Sequence, residues 1–171
     1  VKGLEIEKMH ENKRGIAQSL NNIAIIYDDK GNRDQAYQYY TESLKMAEEL
    51  NDKMSMAIAL SNLGEFYAKE KQFTKALSYH FRSIELDEEM GNPIGVAQSY
   101  ISLGDLYFQM NNYRKSLNYH RRGLEILEQQ NLLPSMAEAY KGLSEVYAKT
   151  GNYRMAYDYF SKYNEINDSL F

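Results

Sequence analysis

Apolar and small side chains return to one helical face twice in every forty residues of this chain. Leu60, Leu63, Gly64 and Tyr67 follow the i, i+3, i+4, i+7 spacing of an amphipathic helix, and Ala76, Tyr79, His80, Ser83 and Ile84 take it up again a few residues later. The polar run Lys69-Glu70-Lys71-Gln72 separates the two. The scheme then recurs in register. One column reads Ile23, Leu63, Leu103, Leu143; the next reads Ala24, Gly64, Gly104, Ser144; a third is Tyr27, Tyr67, Tyr107, Tyr147. Further columns are Ala17, Ala57, Ala97, Ala137 and Ala36, Ala76, Ser116, Ala156. Tyr39, Tyr79, Tyr119 and Tyr159 stand beside Tyr40, His80, His120 and Phe160. A fixed period of this length, without insertions, is the signature of a solenoid whose repeats each bury one face against the next. Each repeat reads as a helical hairpin, with positions such as 20, 23, 24 and 27 turned toward the core.

The breaks between helices carry matching turn chemistry. Lys30-Gly31-Asn32, Met110-Asn111-Asn112 and Thr150-Gly151-Asn152 place Gly or Asn just past a helix end, where a left-handed residue is needed. Lys71 is the odd member of that column and is expected to be strained. Between hairpins, Asp52 is placed to cap a helix beginning near Lys53, Asn92-Pro93 reads as a cap followed by a first-turn proline, and Pro134 falls at the same phase. Gly64 and Gly104 inside helices imply a packing reason, since each costs about 1 kcal/mol against Ala; the expected reason is close approach of two helix backbones, assisted by Ala76.

Composition narrows the class. The chain has 171 residues, 43% hydrophobic and 26% charged, with 2 Pro, 16 Tyr and no Trp. Net charge is −4, with both signs interspersed and no basic stripe, so binding to nucleic-acid phosphates is disfavoured. The absence of Cys excludes disulfides, thiolate chemistry and Cys-ligated zinc, and is compatible with a reducing compartment; a cytoplasmic location is the expectation. No apolar run is long enough to insert in a membrane, and the charged opening Val1–Lys13 is no signal peptide.

Catalytic, metal and cofactor sites are not expected. His80 and His120 share a column with Tyr40 and Phe160, so they read as packing rings; successive repeats about 10 Å apart set two imidazoles too far from each other to share an ion. His10 stands alone, and no Walker-type phosphate loop is present. Gly91 and Gly95 flank Pro93 at a joint, Asn131-Leu132-Leu133-Pro134 is another joint, and the tyrosines fall largely in core columns. No convergent set of acid, base and nucleophile emerges.

The columns resemble the tetratricopeptide repeat: Leu60, Leu63-Gly64, Tyr67, Ala76, His80, Ser83 in one unit, and Tyr100, Leu103-Gly104, Tyr107, Ser116, His120, Gly123 in the next. The usual period is about 34, and the proline that often ends each repeat is missing. The chain therefore looks like the long-repeat subgroup found in kinesin light chains and bacterial aspartate-phosphatase regulators. The resemblance implies an all-α, right-handed α-α superhelix of four hairpins plus a partial N-terminal helix, as one solenoid domain over 1–171. Repeats are expected at 13–52, 53–92, 93–132 and 133–171. Residues 1–12 would end a truncated preceding repeat, because Lys2-Gly3-Leu4-Glu5-Ile6 echoes Arg122-Gly123-Leu124-Glu125-Ile126. The ending Tyr163–Phe171 looks like a last repeat that runs into a coiled coil and an output domain in bacterial sensors.

In this family the first helix of each hairpin lines the concave side. Opposite the core positions lie Gln18, Asn22, Ile25, Asp29; Ile58, Asn62, Glu65, Lys69; Gln98, Ser102, Asp105, Gln109; and Glu138, Gly142, Glu145, Lys149. Asn22 and Asn62 match a recurrent asparagine that grips peptide backbones in peptide-binding repeats, while Ser102 and Gly142 interrupt that column. Glu65, Asp105 and Glu145 form an acidic ladder suited to a basic segment. The alternative is a solvated face with Glu65–Lys69 and Glu145–Lys149 as i,i+4 pairs. The family's carboxylate clamp is not matched. The expected function is a non-enzymatic module that binds a protein, peptide or helix in this groove, as the regulatory or sensory part of a larger bacterial signalling or transcription-regulator protein. The alternative is a structural module for self-association or spacing.

Overall fold

Helix ends in this chain are dictated by residues that tolerate positive φ. The computed structural model describes the backbone of residues 2–170 and the side chains of residues 12–168. It is all α-helix there: α1 (Lys2–Asp29), α2 (Arg33–Glu49), α3 (Lys53–Lys69), α4 (Phe73–Met90), α5 (Pro93–Gln109), α6 (Tyr113–Gln129), α7 (Leu133–Lys149) and α8 (Tyr153–Leu170). Within each hairpin the turn residue is left-handed: Gly31 at φ 76°, Lys71 at 57°, Asn111 at 57°, Gly151 at 81°. Between hairpins it is Asn51 at 51°, Gly91 at 63° and Asn131 at 54°. One joint expected near residue 12 is absent, because α1 runs unbroken from Lys2 to Asp29. The column explains it: where the other joints have Asn or Gly, this one has Glu11, which cannot take the left-handed conformation cheaply. Caps complete the starts. Asp52 accepts from the Ser55 amide and hydroxyl at 3.4 and 2.8 Å, and Asn92 accepts from the Gly95 amide at 3.3 Å with Pro93 in the first turn.

Lys71 pays the strain that its glycine and asparagine counterparts avoid. Lys71→Gly is expected to stabilise the hairpin of α3 and α4 by about 1 kcal/mol, read as a higher urea midpoint. An unchanged or lower midpoint would contradict this.

Two compact units divide at Gly91 and Asn92. In the first, α1 pairs with α2 and α3 with α4, while α2 touches α3 and α1 touches α3. Its core includes Ala17, Ala24, Leu60 and Leu63, all with no exposed surface. Ser43 and Ser83 donate to the carbonyls of Ala17 and Ala57 at 2.8 and 2.9 Å, tying each second helix to the first helix of its hairpin. The second unit repeats the plan with α5 to α8 around Ala97, Ile101, Leu124, Leu127, Ala139 and Leu143. At the position of Ser43 and Ser83 it has Gly123, where a Cβ would stand 3.0 Å from the Ala97 carbonyl oxygen. In every hairpin the two tyrosine columns stack: Tyr27 on Tyr39, Tyr67 on Tyr79, Tyr107 on Tyr119 and Tyr147 on Tyr159, with centroids 5.3–5.7 Å apart and planes within 9°. Such stacks add to area burial by roughly 1 kcal/mol each.

The glycines in the helices make room for imidazoles, not for helix backbones as the sequence suggested. A Cβ on Gly64 would meet the His80 ring at 2.7 Å, and one on Gly104 would meet the His120 ring at the same distance. His120 is gripped from its other side as well, since a Cβ on Gly142 would fall 2.3 Å from its Cε1. Ile23 departs from its expected core place: it is 37% exposed, whereas Leu63, Leu103 and Leu143 are fully buried. In α1 the buried face runs through Ala17, Asn21, Ala24 and Asp28 instead. Among the described residues no helix is long and apolar enough to cross a membrane.

Candidate functional site

Within each unit the backbones of the first helices approach closely, α1 to α3 and α5 to α7, whereas among the described residues those of the second helices lie farther apart, α2 and α4 being bridged by the Glu48–Arg82 ion pair at 3.6 Å. Hairpins closer along one row than along the other fan open, so each unit is closed on the side of its first helices. The polar row read from the sequence lies on those helices.

In the first unit Gln18, Asn22, Glu65 and Lys69 are exposed, together with Asp29 and Ile58, and Ile25 is half-buried. Asn62 is half-buried and its amide donates to the Asn21 side-chain oxygen at 2.9 Å. It therefore bridges α1 and α3 and offers fewer free groups than Asn22. The Lys69 ammonium lies 2.5 Å from Asp28 of α1, whose buried carboxylate also receives Arg33. Arg33 in turn reaches Glu70 at 2.9 Å. This four-residue network, which the sequence reading did not find, fastens the ends of α1 and α3 to the start of α2.

In the second unit Gln98, Asp105, Gln109, Glu138, Glu145 and Lys149 are exposed and Ser102 is half-buried. Glu145 and Lys149 form no ion pair among the described residues. Gly142 leaves the row altogether, being buried under His120. The column of Asn22, Asn62, Ser102 and Gly142 thus passes from open surface to the seam with the preceding second helix.

His80 and His120 are 1% and 0% exposed. Burial alone pushes both imidazoles down to about 4, so they are neutral at physiological pH. Asp105 stands 3.5 Å from His120 Nε2, beyond hydrogen-bond reach for a ring N–H, and a neutral ring makes no ion pair with it. His80 Nδ1 and both nitrogens of His120 have no hydrogen-bond partner among the described residues. They are packing groups, as their column implied. No group of three or more His, Cys, Asp or Glu side chains converges on a metal-sized space among the described residues.

Comparison with known proteins agrees with this architecture. Residues 19–54 and 55–129 each match a family model described as Tetratricopeptide repeat. No curated protein matches by sequence. Among solved structures, the apo form of RapI superposes with a TM-score of 0.81 at 21% identity, over 91% of this chain and 57% of that one. The Pyrococcus horikoshii signal transduction ATPase with numerous domains, a protein with a tetratricopeptide repeat sensor, gives 0.78 at 19% identity over 90% and 24%. BtubC (BKLC) from P. vanneervenii gives 0.77 at 22% over 90% and 64%. At these identities the likeness is one of fold, and the chain spans from a quarter to under two thirds of those proteins' lengths.

Proposed function

This chain belongs to the tetratricopeptide repeat family, and from that premise we propose that it acts by binding, not catalysis, holding a peptide or helix of a protein partner against its first helices. The observation that carries the reading is the close backbone approach of α1 to α3 and of α5 to α7, while the backbones of the second helices lie farther apart. The reading draws on Gln18, Asn22, Glu65 and Lys69, exposed on the first helices of one unit, and Gln98, Asp105, Gln109, Glu145 and Lys149, exposed on those of the other. Such a surface recognises donors, acceptors and charge. Its acidic members, Glu65, Asp105 and Glu145, favour a ligand with a basic segment. The partner would be engaged as part of a larger bacterial regulatory or sensory protein; the sensory part of this reading is supported by the tetratricopeptide repeat sensor of the Pyrococcus horikoshii ATPase.

A peptide array probed with the chain is expected to retain peptides rich in Lys and Arg. The Asp105→Lys, Glu145→Lys double variant should lose them by tenfold or more. Retention unchanged by both reversals would refute the surface. A second reading, self-association or spacing, is favoured by apolar outer faces. Ile16, Ile23 and Ile26 are 41%, 37% and 53% exposed on α1, and Tyr153, Tyr157 and Phe160 are 73%, 71% and 48% exposed on α8. Light scattering after size exclusion separates the two, since a strict monomer that binds peptides leaves only the first.

A further inference from the structure

The two units place opposite charge at equivalent positions. In the first, Asp28, Arg33, Asp34, Thr41 and Glu70 carry three carboxylates and one guanidinium, net −2. Eighty residues on, the same positions are Phe108, Tyr113, Arg114, Arg121 and Thr150, two guanidiniums and no carboxylate, net +2. The first unit carries an ion-pair network at these positions, and the second a cavity. Around Arg33 the first unit is bridged by Asp28 and Glu70, with the Tyr37 ring 6.0 Å from that of Phe66. In the second unit smaller side chains, Leu117 and Val146, replace those two rings. There the surface between α6 and the end of α7 holds a cavity of about 470 Å³, lined by Tyr113, Arg114, Leu117, Asn118, Arg121 and Thr150.

We propose that this cavity binds a phosphoryl group, separately from the first-helix surface. Arg114 has no ion-pair partner among the described residues. Arg121 spends one donor on the Tyr147 hydroxyl and lies over that ring, 5.8 Å from its centroid, which fixes its guanidinium and leaves its other N–H groups. The two arginines stand two helical turns apart on one face of α6, with the Asn118 amide between them. Arg is the side chain whose planar fork suits phosphate oxygens. The Thr150 hydroxyl is occupied, donating to the carbonyls of Val146 and Tyr147. Its part is to be uncharged where the first unit has Glu70. The α7 C-terminus opposes an anion with a partial charge of about half a unit, and the start of α6 favours one to the same degree. The two full charges of the arginines therefore decide the sign. In a chain of net charge −4 this is a local reversal. The volume exceeds what a bare phosphate needs, so the phosphoryl group would be carried on a small molecule or on a partner's side chain.

Calorimetric titration of the whole chain with inorganic pyrophosphate, and with a phosphoserine peptide against its unphosphorylated form, tests the site. Saturable binding of pyrophosphate or phosphopeptide is expected, the tighter one identifying the carrier. Arg114→Ala should weaken it at least tenfold. Thr150→Glu, which restores the carboxylate of the first unit, should abolish it. Both positions are exposed, so melting temperatures should not move. Lys45→Ala removes the same unit of positive charge from an exposed position of the first unit and should leave binding intact. The proposal is overturned by absence of saturable heat with both probes, by binding that survives Arg114→Ala and Thr150→Glu, or by an equal loss in Lys45→Ala.

Discussion

Gly142→Ala is expected to destabilise the second unit by about 3 kcal/mol, although the same change in an open helix would add about 1 kcal/mol through helix propensity. The sign is decided by one ring. A methyl at position 142 would lie 2.3 Å from His120 Cε1, 2.5 Å from Nε2 and 2.8 Å from Nδ1. The imidazole cannot yield, because the Cβ position of Gly104 is 2.7 Å from its other face and the residue has no exposed surface. Relief would require α6 and α7 to separate, opening the core around Leu124, Leu127 and Leu143. A double-mutant cycle isolates the contact. In a His120→Ala background the clash is gone, and Gly142→Ala should become neutral or stabilising. Denaturant midpoints, with amide exchange of α5 to α8 to assign the unit, measure both. A wild-type midpoint for Gly142→Ala, or the same loss in both backgrounds, would show that the ring is not what requires glycine.

That contact also shows where sequence reasoning stops. The helices were legible because their boundaries are local events: Asp52, Asn92-Pro93 and the Gly or Asn turn columns state where each helix starts and stops without reference to the rest of the fold. The polar row was legible for the same reason, since 100° per residue fixes which side chains lie opposite a core stripe. Ile23 was misplaced because the buried stripe of α1 runs through Ala17, Asn21, Ala24 and Asp28, which turns position 23 outward, and nothing in the periodicity of one helix marks that rotation. Gly64, Gly104 and Gly142 were seen as small, yet their partners, His80 and His120, sit on other helices, and no spacing within one helix links position 142 to 120. The pairing leaves one trace. Glycine in the 64 and 104 column occurs where the later column has histidine, and Ala24 and Ser144 occur where it has Tyr40 and Phe160. The arginine cavity was hidden by the same limit. Arg114, Arg121 and Thr150 belong to three columns, and their reversal of charge shows only when two repeats are compared with the two before them.

Acid is expected to weaken the fold well above the carboxylate range, for a reason contained in those same rings. His80 and His120 ordinarily titrate near 6.5, and burial pushes each down to about 4 in the folded chain. Between these values the unfolded chain binds protons that the folded chain refuses, so stability falls as pH falls. The slope reaches roughly 1.4 kcal/mol per pH unit for each histidine. It halves near pH 4, where the folded form begins to protonate too, and vanishes below that; each ring then accounts for a loss on the order of 3 kcal/mol. Carboxylates act in a lower window. For Asp52, burial raises the carboxyl, but its hydrogen bonds to Ser55 and Arg14 outweigh that and hold it below 3.8. Asp105, the carboxylate nearest His120, is 58% exposed at its side chain and its field is screened by water, so Asp105→Asn should leave most of the slope in place. Because His80 lies in α4 and His120 in α6, amide exchange from pH 7 to 4.5 reads them independently. His80→Asn should flatten the profile of α1 to α4, and His120→Asn that of α5 to α8, whatever either costs in absolute stability. A profile already flat in the wild type, or equally steep in both variants, would mean that the buried rings do not resist protonation and that the space between the glycines admits water.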